Sequence, residues 1–237
     1  MVDEKIQLSK RKKQHYLSKM LYKPNSNLFN LTSIGDQAHY TSAETIRILN
    51  DNYFERASLG KVRSNIEMTE PLVRDADIMS FNISAIRYAD VPAQLQPSAS
   101  GLFCEEACQI SRYAGLSDKL SSIGFYGLHP DKNGVEQSAQ VVAQLIWYFV
   151  DGYHHRKNDF PASTDGLIEY IVEWRDQEEQ LTFWKSKKSG RWWMQIPVKV
   201  KKRHQRHKLL PCSYSDYLAA CNNDLPDRLL NAYKRFS

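Results

Sequence analysis

This sequence predicts an α/β fold built on a mainly parallel sheet, and three observations carry that expectation. Helical and strand periods alternate through the middle of the chain, as they do in a doubly wound sheet. The segment "ADIMSFNI", 76–83, has the continuous apolar character of a parallel strand covered on both faces. The chain has 237 residues, 42% apolar and 25% charged, which suffices for one large domain or two small ones around a real core.

The elements follow in order. "CEEACQISRYAG", Cys104 to Gly115, has helical spacing and ends in a glycine suited to a left-handed cap. "KLSSIGFYGL", Lys119 to Leu128, reads as a second central strand. "GVEQSAQVVAQLIWYFVDGYHHR" gives about five helical turns, apolar on more than one face, which predicts deep packing. "DFPASTDG" then marks a boundary, dividing residues 1–160 from 161–237. Beyond it, "LIEYIVEW", "QLTFWKS" and "RWWMQIPVKV" predict an antiparallel meander. Two short helices, Ser215 to Cys221 and Pro226 to Phe236, close the chain. Trp184, Trp192 and Trp193 read first as core and inter-layer packing and second as a binding surface.

Composition narrows the function classes. No segment approaches the roughly 18 uninterrupted apolar residues of a membrane span, and "MVDEKIQLSKRKKQHY" lacks the apolar run of a signal peptide, so a soluble cytoplasmic protein is expected. Cys104, Cys108, Cys212 and Cys221 never form C-x-x-C, which argues for reduced thiols. Cys104 and Cys108 could share a helix face and grip a metal, though buried thiols packing as small hydrophobes are commoner. The net charge of +5 concentrates at Lys10 to Lys13 and Lys199 to Lys208. A solvated loop or strand edge is the favoured reading of the second run, because no aromatic stacking pattern interleaves it, and nucleic acid is not the expected partner. His204 and His207, three apart, lack a third ligand nearby.

The strand at 76–83 ends in two small polar side chains, Asn82 and Ser84, where a parallel sheet holds its ligands. Around them the chain resembles the carboxyl-terminal half of the ureohydrolase superfamily, which comprises arginase, agmatinase and formimidoylglutamase. The family signature S-F-D-x-D-x-x-D-P corresponds to Ser80, Phe81, Asn82, Ile83, Ser84, Ala85, Ile86, Arg87 and Tyr88. Its G-L-T-Y-R-E-A corresponds to Gly101, Leu102, Phe103, Cys104, Glu105, Glu106 and Ala107. A later E-V-N-P strand end and T-A helix start match Gly127, Leu128, His129 and Pro130, then Ser138 and Ala139. An earlier family strand, D-A-H-x-D, falls on "VDEKIQL", where Asp3 keeps a carboxylate and Lys5 and Gln7 replace a histidine and an aspartate. The resemblance implies a three-layer αβα domain, incomplete at the amino terminus, plus a small antiparallel β and helical carboxyl-terminal extension of formimidoylglutamase type.

In that family two manganese ions, bridged by carboxylates at strand tips, generate hydroxide that attacks a guanidinium or amidine carbon. Asn82 and Ser84 stand where two of the aspartates would be and offer neutral oxygens, and Lys5 would place an ammonium at an imidazole position. The expectation is therefore a degraded metal site at Asp3, Lys5, Gln7, Asn82 and Ser84, with no cofactor and a binding or structural role. The alternative is an active amidine hydrolase that uses manganese through Asp3, Asp90, His129 or residues outside this chain. Glu106 matches the position that receives the substrate's guanidinium or amidine group; it equally suits the first turn of a helix. A further reading takes Lys199 to Lys208 as a contact for nucleic acid or an acidic partner. In a shortened fold an uncovered strand edge near the amino terminus would need a protein partner or a second copy.

Overall fold

The structure, a computed structural model, describes residues 1–3, 6–8, 16–24, 28–95, 97–174, 179–197 and 208–236. Lys5, Lys10 to Lys13, His204, His207 and the basic run up to residue 207 lie outside the described residues.

Strands β1 (Thr32–Asp36) and β2 (Glu55–Ser58) pair in parallel, as do β3 (Ile78–Asn82) and β4 (Ser122–Tyr126). Residues 1–3 join the two pairs. Val2 N–H donates to Ser80 O at 2.9 Å and Asn82 N–H to Val2 O at 2.9 Å, while Asp3 N–H donates to Ile34 O at 3.1 Å and Ile34 N–H to Met1 O at 2.8 Å. The parallel order is therefore β2, β1, residues 1–3, β3, β4. This corrects the expectation of an uncovered edge near the amino terminus. Among the described residues, the first residues lie between β1 and β3, and the outer parallel strands are β2 and β4. The sequence hides this because sheet neighbours need not be chain neighbours.

Helices α1 (Tyr16–Tyr22) and α2 (Ala43–Asp51) share one apolar cluster with Ile6, Leu8, Leu31 and Phe54. Helices α3 (Leu59–Ser64), α4 (Thr69–Arg74), α5 (Cys104–Leu116) and α6 (Val135–His154) fill a larger one with Val2, Met79, Phe81 and Leu102. On β3, Met79 and Phe81 are buried while Ile78 is exposed, so the strand is not covered on both faces over its whole length.

Gly115 does not cap α5. It is buried inside the helix, where a Cβ would stand 2.1 Å from Phe149 O, and a Cβ on Gly152 would stand 2.4 Å from Arg112 O. The two glycines let α5 and α6 cross with their backbones nearly touching, and a glycine near a helix end looks the same in sequence whether it serves a cap or a crossing. Helix α6 also departs from expectation. Ser138, Val141, Leu145 and Gly152 are buried, but its apolar outer face is exposed.

The carboxyl-terminal part is an antiparallel sheet of β5 (Leu167–Trp174), β6 (Glu179–Ser186), β7 (Trp192–Gln195) and β8 (Leu209–Cys212), in chain order. Strand β8 was not foreseen. It is short and contains Pro211, which an edge strand tolerates because no ladder partner needs its missing N–H. Helices α7 (Tyr214–Cys221) and α8 (Asp227–Phe236) follow. Trp192 and Trp193 are buried, as the packing reading expects, and Trp184 is half-buried with its indole N–H on Gln195 Oε1 at 3.2 Å.

Arg74, at the end of α4, is 3% exposed and ties the two parts together. Its guanidinium donates to Trp192 O at 3.1 Å and Cys212 O at 3.1 Å, pairs with Glu70 at 3.0 Å and lies 4.4 Å from the Trp193 ring centre. Removing it takes one of two guanidinium partners from Glu70 and leaves the Trp192 and Cys212 carbonyl groups without this donor. Arg74→Ala is expected to cost about 3–5 kcal/mol of stability, measurable as a lower urea midpoint. An unchanged midpoint would show that the bonds to β7 and β8 contribute nothing net.

Candidate functional site

The carboxyl ends of the parallel strands bring Asp3 and Asn82 together. Asn82 Nδ2 donates to Asp3 Oδ2 at 3.4 Å, and Asn82 Oδ1 accepts from Ser84 N–H at 3.1 Å. That second bond caps the 3₁₀ turn Ile83–Ala85. The same oxygen packs onto Gly127, where φ is +93° and a Cβ would stand 2.4 Å from it. The Asn82 amide is thus fixed, with its donor toward the carboxylate and its acceptor toward backbone. From α1, the Tyr16 hydroxyl lies beside Ser80 and Asp3, and burial pushes its pKa up. Nothing in the sequence pattern marked Tyr16, because its approach depends on how α1 folds back over the sheet.

The other expected positions do not converge on this pair. Gln7 is half-buried between Ile6 and Leu8, whose side chains enter the α1–α2 cluster, and Leu8 N–H bonds Thr45 Oγ1 at 3.1 Å. Lys5 is not described. Asp90 serves the start of α5: its Oδ2 accepts from Cys104 N–H at 3.1 Å and Arg87 Nε at 2.9 Å, and its Oδ1 lies 2.9 Å from Arg87 Nη2. Bonding to Asp90 first of all holds the Arg87 pKa above its usual value. His129 donates its backbone N–H to Ala93 O at 2.9 Å, and its Nδ1 is buried with no hydrogen-bond partner among the described residues.

Glu106 caps the same helix. Its Oε2 accepts from Phe103 N–H at 2.8 Å and its Oε1 lies 3.7 Å from Arg63 Nε. Arg63 and Arg87 flank the Phe103 ring at 4.2 and 4.3 Å from its centre. The carboxylate at the position matched to substrate recognition therefore already faces a guanidinium of its own chain. Spacing alone could not reveal this, because Arg63 arrives from α3, forty-three positions upstream. A further ion pair at the strand ends also went unmarked: Arg56 Nε lies 2.6 Å from the buried Asp36 Oδ2.

These residues do not suit two dications. Asp3 supplies a carboxylate, but the Asn82 oxygen is turned to backbone and its amino group is turned to Asp3. Two carboxylates at that separation would demand a cation or a shared proton; a carboxylate and an amide demand neither. Among the described residues, no three His, Cys, Asp or Glu side chains are placed to hold a metal ion together. Cys104 and Cys108 are no exception, since burial pushes the Cys108 thiol up to about 12 and raises that of Cys104.

No protein-family model matches the chain. A formimidoylglutamase of Staphylococcus haemolyticus (strain JCSC1435) is 32% identical over 83 residues, which cover 34% of this chain and 27% of that protein. Formiminoglutamase of Trypanosoma cruzi with Mn2+ superposes with a TM-score of 0.53 over 58% of this chain and 50% of that one, at 20% identity. An arginase superfamily protein from the same organism gives 0.53 over 58% and 48%. The chain resembles the ureohydrolase superfamily in sequence and has an arginase-like α/β fold. The matched region spans half or less of each of these relatives, and the structural likeness carries the fold alone. Among the described residues, no helix is long and apolar enough to cross a membrane.

Thiol chemistry follows from the burial. With a thiol-specific reagent near pH 8, exposed Cys221 is expected to react first, and buried Cys108 and Cys212 only after unfolding. Rapid labelling of Cys108 in the native protein, read by peptide mass, would contradict the α5 packing.

Proposed function

We propose that this chain is a ureohydrolase-like protein whose dinuclear manganese site has degenerated, and that its fold serves binding or a structural role rather than hydrolysis. The observation that carries the reading is the Asp3–Asn82 pair, a donor and acceptor where the family chemistry needs carboxylates. Metal-assisted hydrolysis requires negative ligands that lower the pKa of a shared water. Here Arg63 and Arg87 add positive charge near Glu106 and Asp90, whose oxygens are engaged in capping α5. The alternative, an active manganese-dependent amidine hydrolase, draws its support from the names of the relatives, and the geometry of Asp90 and Glu106 gives it no ligand set. Localisation in the cytoplasm belongs to the same proposal.

The test is elemental analysis after incubation with excess manganese and removal of unbound ion. The expected result is less than stoichiometric metal and no turnover of formimino or guanidino substrates. Two equivalents per chain with turnover would overturn the reading.

A second test addresses the pair itself. Asn82→Asp is expected to lower stability at pH 7 by about 1–3 kcal/mol, because two like charges then meet where a carboxylate and an amide met before. The pair raises the folded carboxyl pKa above its unfolded value near 4, so the loss is present well above that pH and fades as acid protonates the pair. Denaturation at pH 7 and pH 4 checks the sign. An equal loss at both values would place the effect in packing rather than charge.

A further inference from the structure

Helix α6 carries a second apolar face that the fold does not use. Ala139, Ala143, Ile146, Val150 and Tyr153 recur at spacings of four, three, four and three residues, and all are exposed. Ile146 is 48%, Val150 44% and Tyr153 52% exposed, and Trp147 beside them is 60% exposed. That spacing makes one straight stripe along a helix, about 20 Å long at 1.5 Å per residue. It contains no charged side chain. Helices α4, α5 and α6 pack side by side in that order, so α5 covers one side of α6 and leaves the stripe outside. An uncharged apolar stripe of this length is unusual on an isolated chain.

Size and charge along the stripe fit it to itself in reverse. If α6 meets a second α6 running the opposite way and centred on Ile146, small Ala139 faces large Tyr153, Ala143 faces Val150, and Ile146 faces its own copy. The helix begins with Glu136 in its first turn and ends at His154, followed by His155 and Lys157, so the same register sets an acidic end against a basic end twice over. The parallel arrangement would set large against large and like charge against like.

We propose that the outer face of α6 is a two-fold interface with a second copy of this chain, antiparallel and centred on Ile146. The contact is isologous: each half presents the same stripe, and one rotation closes it without leaving a further sticky surface. It also takes the exposed Ile146, Val150 and Tyr153 out of water. This inference concerns a surface away from the Asp3–Asn82 pair and stands or fails independently of the metal site.

The experiment is light scattering coupled to size exclusion on the full chain over a range of concentrations. Twice the chain mass is expected. Ile146→Glu and Val150→Glu should each weaken association at least about tenfold, while Ile171→Glu, at another exposed apolar position on β5, should leave it unchanged. Far-UV circular dichroism of the variants checks that they fold, as substitutions at exposed positions should allow. In the double variant Ala143→Cys with Val150→Cys, oxidation should join position 143 of one copy to position 150 of the other, read by peptide mass. A monomer at every concentration would overturn the proposal, as would a dimer indifferent to Ile146→Glu. Cross-links joining 143 to 143 would overturn the antiparallel register.

Discussion

The hydrogen bonds of residues 1–3 to both β1 and β3 are the constraint on which the α/β part depends. Without them the parallel strands form two separate pairs, β1 with β2 and β3 with β4, each too small to bury a face by itself. With them, Val2 sits at the sheet centre with no exposed surface, and the clusters on β1 and β3 become one core. The same insertion places Asp3 at the tip of its segment beside Asn82. The core and the candidate site thus share one cause.

At that tip, the polar groups of the chain answer one another. A ring of carboxylates is stable only around cations, whereas the Asp3 carboxylate beside the Asn82 amino group is satisfied within the chain. The Asn82 oxygen caps a turn and leans on Gly127, so the residue has a packing function of its own. Glu106 and Asp90 follow the same pattern, binding the first N–H groups of α5 where the helix dipole favours negative charge. Arg63 and Arg87, both stacked on Phe103, supply the counter-charge.

The antiparallel part is fastened to the parallel part by three arginines, of which Arg74 is buried and Arg191 and Arg228 are half-buried. Arg74 reaches the carbonyl groups of β7 and β8, and Arg228 from α8 pairs with Glu55 on β2 at 2.7 Å. Arg191 adds a pair with Glu70 at 3.2 Å. A guanidinium has several donors, so Arg74 and Arg228 each satisfy groups from both sides of the junction at once. The carboxyl-terminal sheet is therefore packed against the scaffold and not merely appended to it.

Local pattern determined much of this in advance. The apolar run at 76–83, the helical spacing at 104–115 and 134–156, and the alternation at 167–174 and 180–186 each gave an element of the right type, because periodicity follows from which face a residue buries. The motif positions from Ser80 to Ala107 likewise placed Asn82, Ser84 and Glu106 near the strand ends and the start of a helix. Only the tertiary structure decided what those residues touch. Asn82 meets Asp3 across a separation of 79 positions, Glu106 meets Arg63 from another helix, and Gly115 meets Gly152 at a crossing. Sequence periodicity reports burial along one element; contacts between elements depend on sheet order and helix crossing, which are set by the whole chain at once.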